Sequence, residues 1–318
     1  MALRLIEATD ALGELVDTDA ELRKLADGFV FTEGPVWNRD GRFLLFSDIQ
    51  NDTRWRWSEE SGATVEARPN FIGNGMVYAA NGDLLVCEHV TSSVVRIRPN
   101  SDRAIIAFHY AGTYLNSPND VVERSDGSIY FSDPNYGRWD HPVGVARKFE
   151  LGFQGVFRVP PGGGDIELLV AEDEFEQPNG LCFSPDESVL YVNDLQHVKA
   201  FDVAPDGSLG KGRVFCDGMG SDDIPGTGNP DGMKVDALGN LWCAARDGVW
   251  VLSPDGDLLG IIETPEVTAN LAWGGSDWQS LFLCTSTSLH VLETNVASAP
   301  LPYHDRPAKP IREELSPT

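Results

Sequence analysis

The sequence is short of basic residues. Its 318 residues include 24 lysines and arginines against 49 aspartates and glutamates, which gives a net charge of −25. A surface of this sign repels phosphate groups, so neither nucleic acid nor an anionic membrane is expected as a partner. Most of this charge is typical of a solvated acidic surface, and a smaller part would favour the capture of a cation.

Cysteines are also few, and the five show no paired spacing. Cys87, Cys243 and Cys284 lie inside apolar runs, where a free thiol packs as a small hydrophobic side chain. No run approaches the ~18 apolar residues that span a membrane, and the first residues lack the pattern of a signal peptide. We therefore expect a reduced, soluble, cytoplasmic protein. The sequence does not indicate its oligomeric state.

Helical periodicity is confined to a turn or two near residues 5–24, and the sequence contains no P-loop, no GxGxxG and no Ser-His-Asp signature. It contains instead six copies of one pattern, at intervals of 39 to 60 residues. Each copy has a polar residue, usually followed by glycine, then an apolar run, a turn rich in Asp, Asn and Gly, and a more apolar strand. The residues that open the copies are Glu33, Asn74, Asn119, Asn179, Asp231 and Asn270.

Two further strands follow in most copies, and four strands need about 40 residues, the size of a propeller repeat. The predicted fold is an all-β, six-bladed β-propeller with four-stranded blades. The last copy lacks a fourth strand, whereas an unmatched strand-like segment, 22–28, precedes the first copy. We expect this N-terminal strand to complete the last blade and close the ring. The blades would cover 29–295 and a tail 296–318, within a single domain spanning 1–318.

The first strands of a propeller line its central channel, so the six opening residues are expected to converge there. Two carboxylates and four amides suit a hard cation, because calcium takes roughly six to eight oxygen ligands. A single Asn-Gly is more typical of a turn, but six polar opening residues at equivalent positions of the repeat favour the metal site. Asn270 has no glycine after it and is a candidate only for bonding a neighbouring blade. Insertions at 134–155 and 217–230 are expected to cover one mouth of the channel.

Four segments carry a resemblance to a known family: FTEGPVW (31–37), SPNDVV (117–122), QPNGLCFSPDE (177–187) and NPDGMKVDALGNLW (229–242). Together they resemble the motifs of the SMP-30/gluconolactonase/luciferin-regenerating-enzyme family. LGFQGVFRV (151–159) and TANLAWGG (268–275) are most similar to its bacterial gluconolactonase branch. The resemblance implies an enzyme that folds as a six-bladed propeller, binds a catalytic divalent metal and hydrolyses a small lactone.

Carried over residue by residue, the resemblance implies that Glu33, Asn179 and Asp231 are metal ligands and that Asn119 binds metal or substrate. Calcium is expected, with zinc, magnesium and manganese as alternatives. The metal would polarise the lactone carbonyl, and Asp231 would act as general base toward an activated water or as nucleophile. Animal members have an arginine where this sequence has Ser117, so the substrate need not be an aldonolactone.

Three residues are further candidates for substrate contact, with a structural role as the alternative for each. His89 ends the second strand of the second copy, and Tyr136 and Trp139 lie in the first insertion. Aspartates also recur after second strands, where we interpret them as turn-stabilising: Asp48, Asp133 and Asp194.

Two other functions stay open at this point. Related calcium phosphotriesterases use a similar ligand set, so a phosphotriesterase-like hydrolase on the same metal platform is one alternative. A non-catalytic, metal-binding propeller scaffold is the other.

Overall fold

A computed structural model describes residues 1–139, 143–220 and 228–304 of the chain. Its strands form six small antiparallel sheets, and the first strands of successive sheets contact one another in a closed ring. The predicted all-β, six-bladed propeller is therefore confirmed. None of the helices within these ranges is long and apolar enough to cross a membrane.

Each blade contains four strands that share one sheet. The strands are Thr32–Asn38, Phe43–Asp48, Thr53–Ser58 and Gly62–Ala67 in blade 1; Gly73–Tyr78, Leu84–Glu88, Ser93–Ile97 and Arg103–Ala107 in blade 2; Val121–Glu123, Ile129–Asp133, Gly155–Val159 and Glu167–Leu168 in blade 3; Pro178–Phe183, Val189–Asp194, His197–Asp202 and Arg213–Cys216 in blade 4; Met233–Val235, Leu241–Ala245, Gly248–Leu252 and Leu258–Glu263 in blade 5; and Thr268–Gly274, Ser280–Thr285, Ser288–Glu293 and Arg23–Asp27 in blade 6. A separate hairpin pairs His109–Tyr110 with Thr113–Tyr114.

The N-terminal strand completes blade 6, as predicted. Arg23–Asp27 runs antiparallel to Ser288–Glu293, and Asp27 lies opposite Ser288. The beginning and end of the ring are thereby joined within one sheet. Leu5–Ile6 adds a fifth strand to the outer edge of blade 5.

The hydrophobic core is divided into six clusters, one at each junction between neighbouring blades. The short α-helix, Asp10–Leu15, covers the junction of blades 5 and 6 with Leu12 and Leu15. At the junction of blades 6 and 1, Trp37 stacks on Phe282 with ring centroids 5.4 Å apart. The three cysteines predicted to pack as hydrophobes are buried thiols within these clusters: Cys87, Cys243 and Cys284.

Aspartates at the ends of second strands bind the segment that leads into the same blade, a long-range contact in addition to the predicted role in turns. The carboxylate of Asp133 accepts bonds from the backbone N–H groups of Asn116 and Ser117, both at 2.8 Å. Asp48 and Asp194 each accept two backbone N–H groups in the same way. One repeated polar contact therefore holds the entrances of blades 1, 3 and 4.

Replacing Asp133 by alanine should lower the free energy of unfolding by about 3 kcal/mol, because two buried N–H groups lose their acceptor. Urea denaturation followed by tryptophan fluorescence measures the change. Asp165→Ala, on the exposed turn between two strands of blade 3, is the matched control and should change stability by less than about 0.5 kcal/mol. Equal midpoints for the two variants would contradict this role of Asp133.

The segment 296–304 crosses the end of the channel opposite the opening residues. The N–H of Ala299 donates to the Val235 carbonyl of blade 5 at 3.0 Å, and Tyr303 stacks on Tyr78 of blade 2 with ring centroids 4.9 Å apart. The segment thus spans the ring from blade 5 to blade 2. The remainder of the predicted tail, 305–318, lies outside the described residues, and the boundaries assigned to the single domain stay a prediction.

Candidate active site in the central channel

The structure brings the opening residues of neighbouring blades into hydrogen-bond contact. Asn74 Nδ2 donates to Asn119 Oδ1 at 2.6 Å, and Asn119 Nδ2 donates to Asn179 Oδ1 over a short contact. The amides of blades 2, 3 and 4 therefore form a continuous arc of hydrogen bonds. Asn179 also interacts with the carboxyl group of Asp231 in blade 5, whose pKa it lowers.

The two carboxyl groups close the circle of opening residues, which we call the channel ring. The negative charge of Glu33 raises the pKa of the Asp231 carboxyl group, and Glu33 Oε2 accepts a bond from Asn270 Nδ2 at 2.9 Å. Asn270 therefore bonds a neighbouring blade, the role that the sequence suggested for it. Glu33 is 2% exposed, whereas Asp231 is partly exposed.

Glycine follows four of the six ring residues because neighbouring first strands approach closely there. A Cβ on Gly75 would lie 2.6 Å from the backbone oxygen of Asn119, and one on Gly180 would collide with the backbone oxygen of Asp231. Gly34 and Gly232 are equally crowded by the next blade. These dipeptides, which look like hairpin turns in the sequence, are close-packing positions that bring the ring residues together.

The charges in the channel do not balance among the described side chains. Burial raises the pKa of Glu33 to about 7. Burial, followed by the negative charges of Glu33 and Asp120, raises the pKa of Asp231 well above its ordinary value. The nearby cation is Lys234, whose Nζ lies 3.9 Å from Asp120 Oδ2. With Glu33, Asp120 and Asp231 all ionised, this single ammonium would leave two negative charges. The raised pKa values reflect burial together with this imbalance, and a bound divalent cation would favour the ionised carboxylates.

The chemistry of the channel ring also fits a divalent cation. No group of three or more His, Cys, Asp and Glu side chains that could hold a metal occurs within the described ranges, so amide oxygens must complete the donor set. Carboxylate and amide oxygens are the ligands that hard cations such as calcium accept. The side chains that can supply them are Glu33, Asn119, Asn179 and Asp231.

All members of the channel ring except Asn270 line a cavity of about 230 Å³. An apolar cavity of about 150 Å³ already admits benzene, so this space accommodates a small ring compound. Beyond the ring, the cavity is lined by Phe31, Ile49, His89, Tyr136, Val143, Leu195, Asn229 and Pro230.

The sequence matches the family model described as the SMP-30/Gluconolactonase/LRE-like region over residues 31–287. The chain belongs to this family. It is 29% identical over 304 residues to the Gluconolactonase of Zymomonas mobilis subsp. mobilis, covering 89% of this chain and 84% of that protein. It is 26% identical over 260 residues to Pentonolactonase XacC of Haloferax volcanii, covering 80% and 81%. The resemblance inferred from the motifs is confirmed.

A solved structure from the same family has the same fold along nearly the whole chain. The protein from Xanthomonas campestris, described as a gluconolactonase, superposes with a TM-score of 0.83 at 33% identity and covers 91% of this chain and 94% of that one. The two proteins therefore share the six-bladed fold that positions the channel ring.

Of the three further residues that the sequence suggested for substrate contact, two line the cavity. His89 and Tyr136 do so, whereas Trp139 is absent from the described lining and is 42% exposed. Trp139 packs edge-to-face on Tyr136, with ring centroids 5.6 Å apart. Its predicted contact with substrate stays a prediction.

Both insertions reach the same mouth of the channel. The first contributes Tyr136 and Val143 to the cavity, and the second contributes Asn229 and Pro230; residues 140–142 and 221–227 lie outside the described ranges. Ser117 holds the start of the first insertion in place. Its Oγ donates a hydrogen bond to the Pro134 carbonyl at 2.6 Å and accepts one from the Gly137 N–H at 2.9 Å. The position that carries arginine in animal members of the family here anchors a loop.

Sequence reasoning missed several residues that line the cavity. Ile49 and Leu195 directly follow the second strands of blades 1 and 4, the position that His89 occupies in blade 2. Comparing equivalent positions of the repeat would have found them. Phe31, two residues before Glu33, carries no such signal.

The opposite end of the channel is nearly filled. The space there is only about 70 Å³, lined by first-strand residues of all six blades and by segment 298–304. This volume is too small for an organic ring of benzene size. Ligands therefore reach the channel ring from the mouth that the two insertions border.

Proposed function

We propose that this member of the SMP-30/gluconolactonase family is a metal-dependent hydrolase that opens a small lactone ring. The observation that carries the proposal is the channel ring, in which two carboxylates and neighbouring amides line a cavity large enough for such a substrate. The relatives named gluconolactonase and pentonolactonase support the reaction class.

The metal site of the proposal consists of Glu33, Asn119, Asn179 and Asp231. Bound there, a divalent cation would polarise the lactone carbonyl and stabilise the negative charge that develops on its oxygen. Calcium is the metal we propose, because all four ligands offer oxygen. Zinc more often takes nitrogen or sulfur ligands, and magnesium and manganese are tested alongside.

Asp231 is the side chain that we assign as proton acceptor for the attacking water. Of the two ring carboxylates, it is the one partly exposed at the cavity, whereas Glu33 is 2% exposed and accepts bonds from the Gly34 N–H and Asn270. A base must reach the proton that it removes. Direct nucleophilic attack by Asp231 is the alternative within this proposal.

The remaining walls of the cavity select the substrate. Asn119, His89 and Tyr136 offer polar groups, and Trp139 supports the ring of Tyr136. Phe31 and Leu195 are apolar walls, and the described lining includes no lysine or arginine. An uncharged lactone suits these surroundings better than a phosphorylated one, because the described walls offer no cationic side chain to pair with a phosphate group.

A substrate panel tests the proposal. Purified protein with saturating calcium is assayed by pH-stat against glucono-1,5-lactone, pentono-1,4-lactones, δ-valerolactone and an aryl phosphotriester. We expect kcat/KM for the preferred lactone to exceed that for the triester by at least about 100-fold. Faster turnover of the triester would favour the phosphotriesterase alternative, and a metal-loaded protein without turnover would favour a scaffold.

A further inference from the structure

The buried side chain of His89 connects the first insertion to the amides of the channel ring. It is 1% exposed, and its Nδ1 lies 2.7 Å from the backbone oxygen of Val143. A carbonyl oxygen only accepts hydrogen bonds, so Nδ1 carries the proton. Nε2 of the neutral ring is then an acceptor, and it lies 3.5 Å from Asn74 Nδ2.

This tautomer decides how the neighbouring amides are oriented. An acceptor at Nε2 requires the NH₂ group of Asn74 to face His89, and the second hydrogen of that group donates to Asn119 Oδ1. Asn119 must then present its own NH₂ group to Asn179 Oδ1. Reversing the His89 tautomer would bring two donors face to face unless every amide along this arc also turned.

The position of the Val143 carbonyl depends on how its loop is held. The guanidinium of Arg147 donates to the carbonyl oxygens of His89, Val90 and Gly137, and the N–H of Val145 donates to Gly137 at 3.0 Å. The loop also packs directly on the histidine, because a Cβ on Gly137 would lie 2.7 Å from His89 Cβ. Arg147 thus binds the backbone on both sides of the contact between the loop and His89.

We propose that Arg147 and His89 are positioning residues for the amide ligands of the channel ring. Arg147 holds the loop, the Val143 carbonyl selects the Nδ1–H tautomer, and His89 orients Asn74 and, through it, Asn119 and Asn179. The inference rests on the metal site proposed above. Partners that orient metal ligands in this way typically change metal affinity by about 10- to 100-fold when they are removed.

The tautomer is tested without any assay of activity. Long-range ¹H–¹⁵N correlation spectra of the full chain, with the His89 signals assigned from a His89→Asn variant, should show the Nδ1–H form. In Arg147→Gln we expect a mixture of tautomers, whereas Lys148→Gln, an exposed neighbour on the same loop, should match the wild type. An Nε2–H form in the wild type, or an unchanged spectrum in Arg147→Gln, would overturn the proposal.

Calcium affinity provides the second measurement, by calorimetry on chelator-treated protein. His89→Asn keeps a donor near the Nδ1 position but removes the acceptor for Asn74, and should weaken calcium binding by about 10- to 100-fold. Arg147→Gln should weaken it by about tenfold, and Lys148→Gln by less than twofold. His109→Asn, on the separate hairpin, is the control for histidine replacement.

The double variant Arg147→Gln, His89→Asn separates a shared pathway from two independent effects. We expect it to bind calcium no more than about threefold more weakly than His89→Asn alone, because both changes act on the same contact. Additive losses, or affinities equal to that of the wild type, would overturn the proposal. If Arg147→Gln does not fold, Arg147→Lys replaces it and should still weaken calcium binding, by less than about tenfold, because lysine keeps the charge but not the guanidinium fork.

The two measurements also separate this inference from the proposed function. A wild-type chain that binds no calcium would contradict the proposed metal. The tautomer spectra would still decide whether Arg147 controls the state of His89.

Discussion

The Asp231→Asn variant should lose about three to four orders of magnitude in kcat for lactone hydrolysis, at saturating calcium and with its fold intact. Asparagine keeps the size of the side chain and one oxygen for the ion, but it cannot take a proton from water. Positioned general bases contribute about 10² to 10⁴-fold. Loss of one of the two ring carboxylates would add to the effect, because the amide does not balance the charge of the cation.

The measurement is initial-rate kinetics by pH-stat at several calcium concentrations, so that weaker metal binding is not mistaken for a slower step. Asp247→Asn, on an exposed turn of blade 5, is the matched control and should keep wild-type kinetics. A kcat for Asp231→Asn within about tenfold of the wild type would remove Asp231 from the chemistry. The proposed metal site could then still be correct.

Removal of metal should abolish turnover and lower the thermal stability of the protein. Without a cation, ionisation of Glu33, Asp120 and Asp231 is opposed by burial and by their mutual repulsion, which one ammonium offsets only in part, so a bound cation would stabilise the channel. At a free calcium concentration of about 100 Kd, binding would add about 2.7 kcal/mol to the free energy of unfolding. We therefore expect dialysis against a chelator to reduce lactone turnover by at least about 100-fold and to lower Tm.

Elemental analysis before and after chelation identifies the resident ion, and back-titration with calcium, magnesium, manganese and zinc shows which ions restore turnover. The Glu33→Gln variant tests the same metal site by mutation, because it removes one carboxylate of the channel ring with little change in side-chain volume. Its Tm should respond less to added calcium than that of the wild type. Full turnover in metal-free protein would exclude the metal-dependent mechanism.

The propeller could be predicted because its repeat leaves a signal at regular intervals. Glycine follows Glu33, Asn74, Asn179 and Asp231 in the sequence, and the structure shows that the next blade leaves no space for a side chain at those glycines. Because the same packing constraint recurs in equivalent blades, it leaves a glycine at the same position of several copies of the repeat. The role of segment 22–28 could be predicted for the same reason, because the last copy of the repeat lacks a fourth strand and this segment is an unmatched strand.

The channel ring followed from the repeat, but its hydrogen-bond order did not. Equivalent positions in a propeller share one level of the channel, which is why the six opening residues could be placed together. Which amide donates to which is decided by acceptors that lie far away along the chain, such as the Val143 carbonyl beside His89. A polar residue in isolation does not show which of its groups faces a neighbour.

The walls of the cavity were the least predictable part of the site. Phe31, Ile49 and Leu195 line it, but as single apolar residues near strand ends they resemble ordinary core positions. Trp139, which its place in the first insertion made a candidate, packs on Tyr136, and its contact with substrate stays a prediction. The path of each loop after it leaves its strand decides these contacts, and that path depends on long-range anchors such as Ser117 and Arg147.

The sequence by itself determined the number of blades, the strand that closes the ring and the polar residues that face the channel, because each of these depends on a pattern repeated in register. Only the tertiary structure decided the balance of charge around Glu33 and Asp231, the size of the cavity and the orientation of the amides. Those properties arise where side chains distant in sequence share a small volume with little water, so each depends on its neighbours in space rather than on its neighbours in the chain.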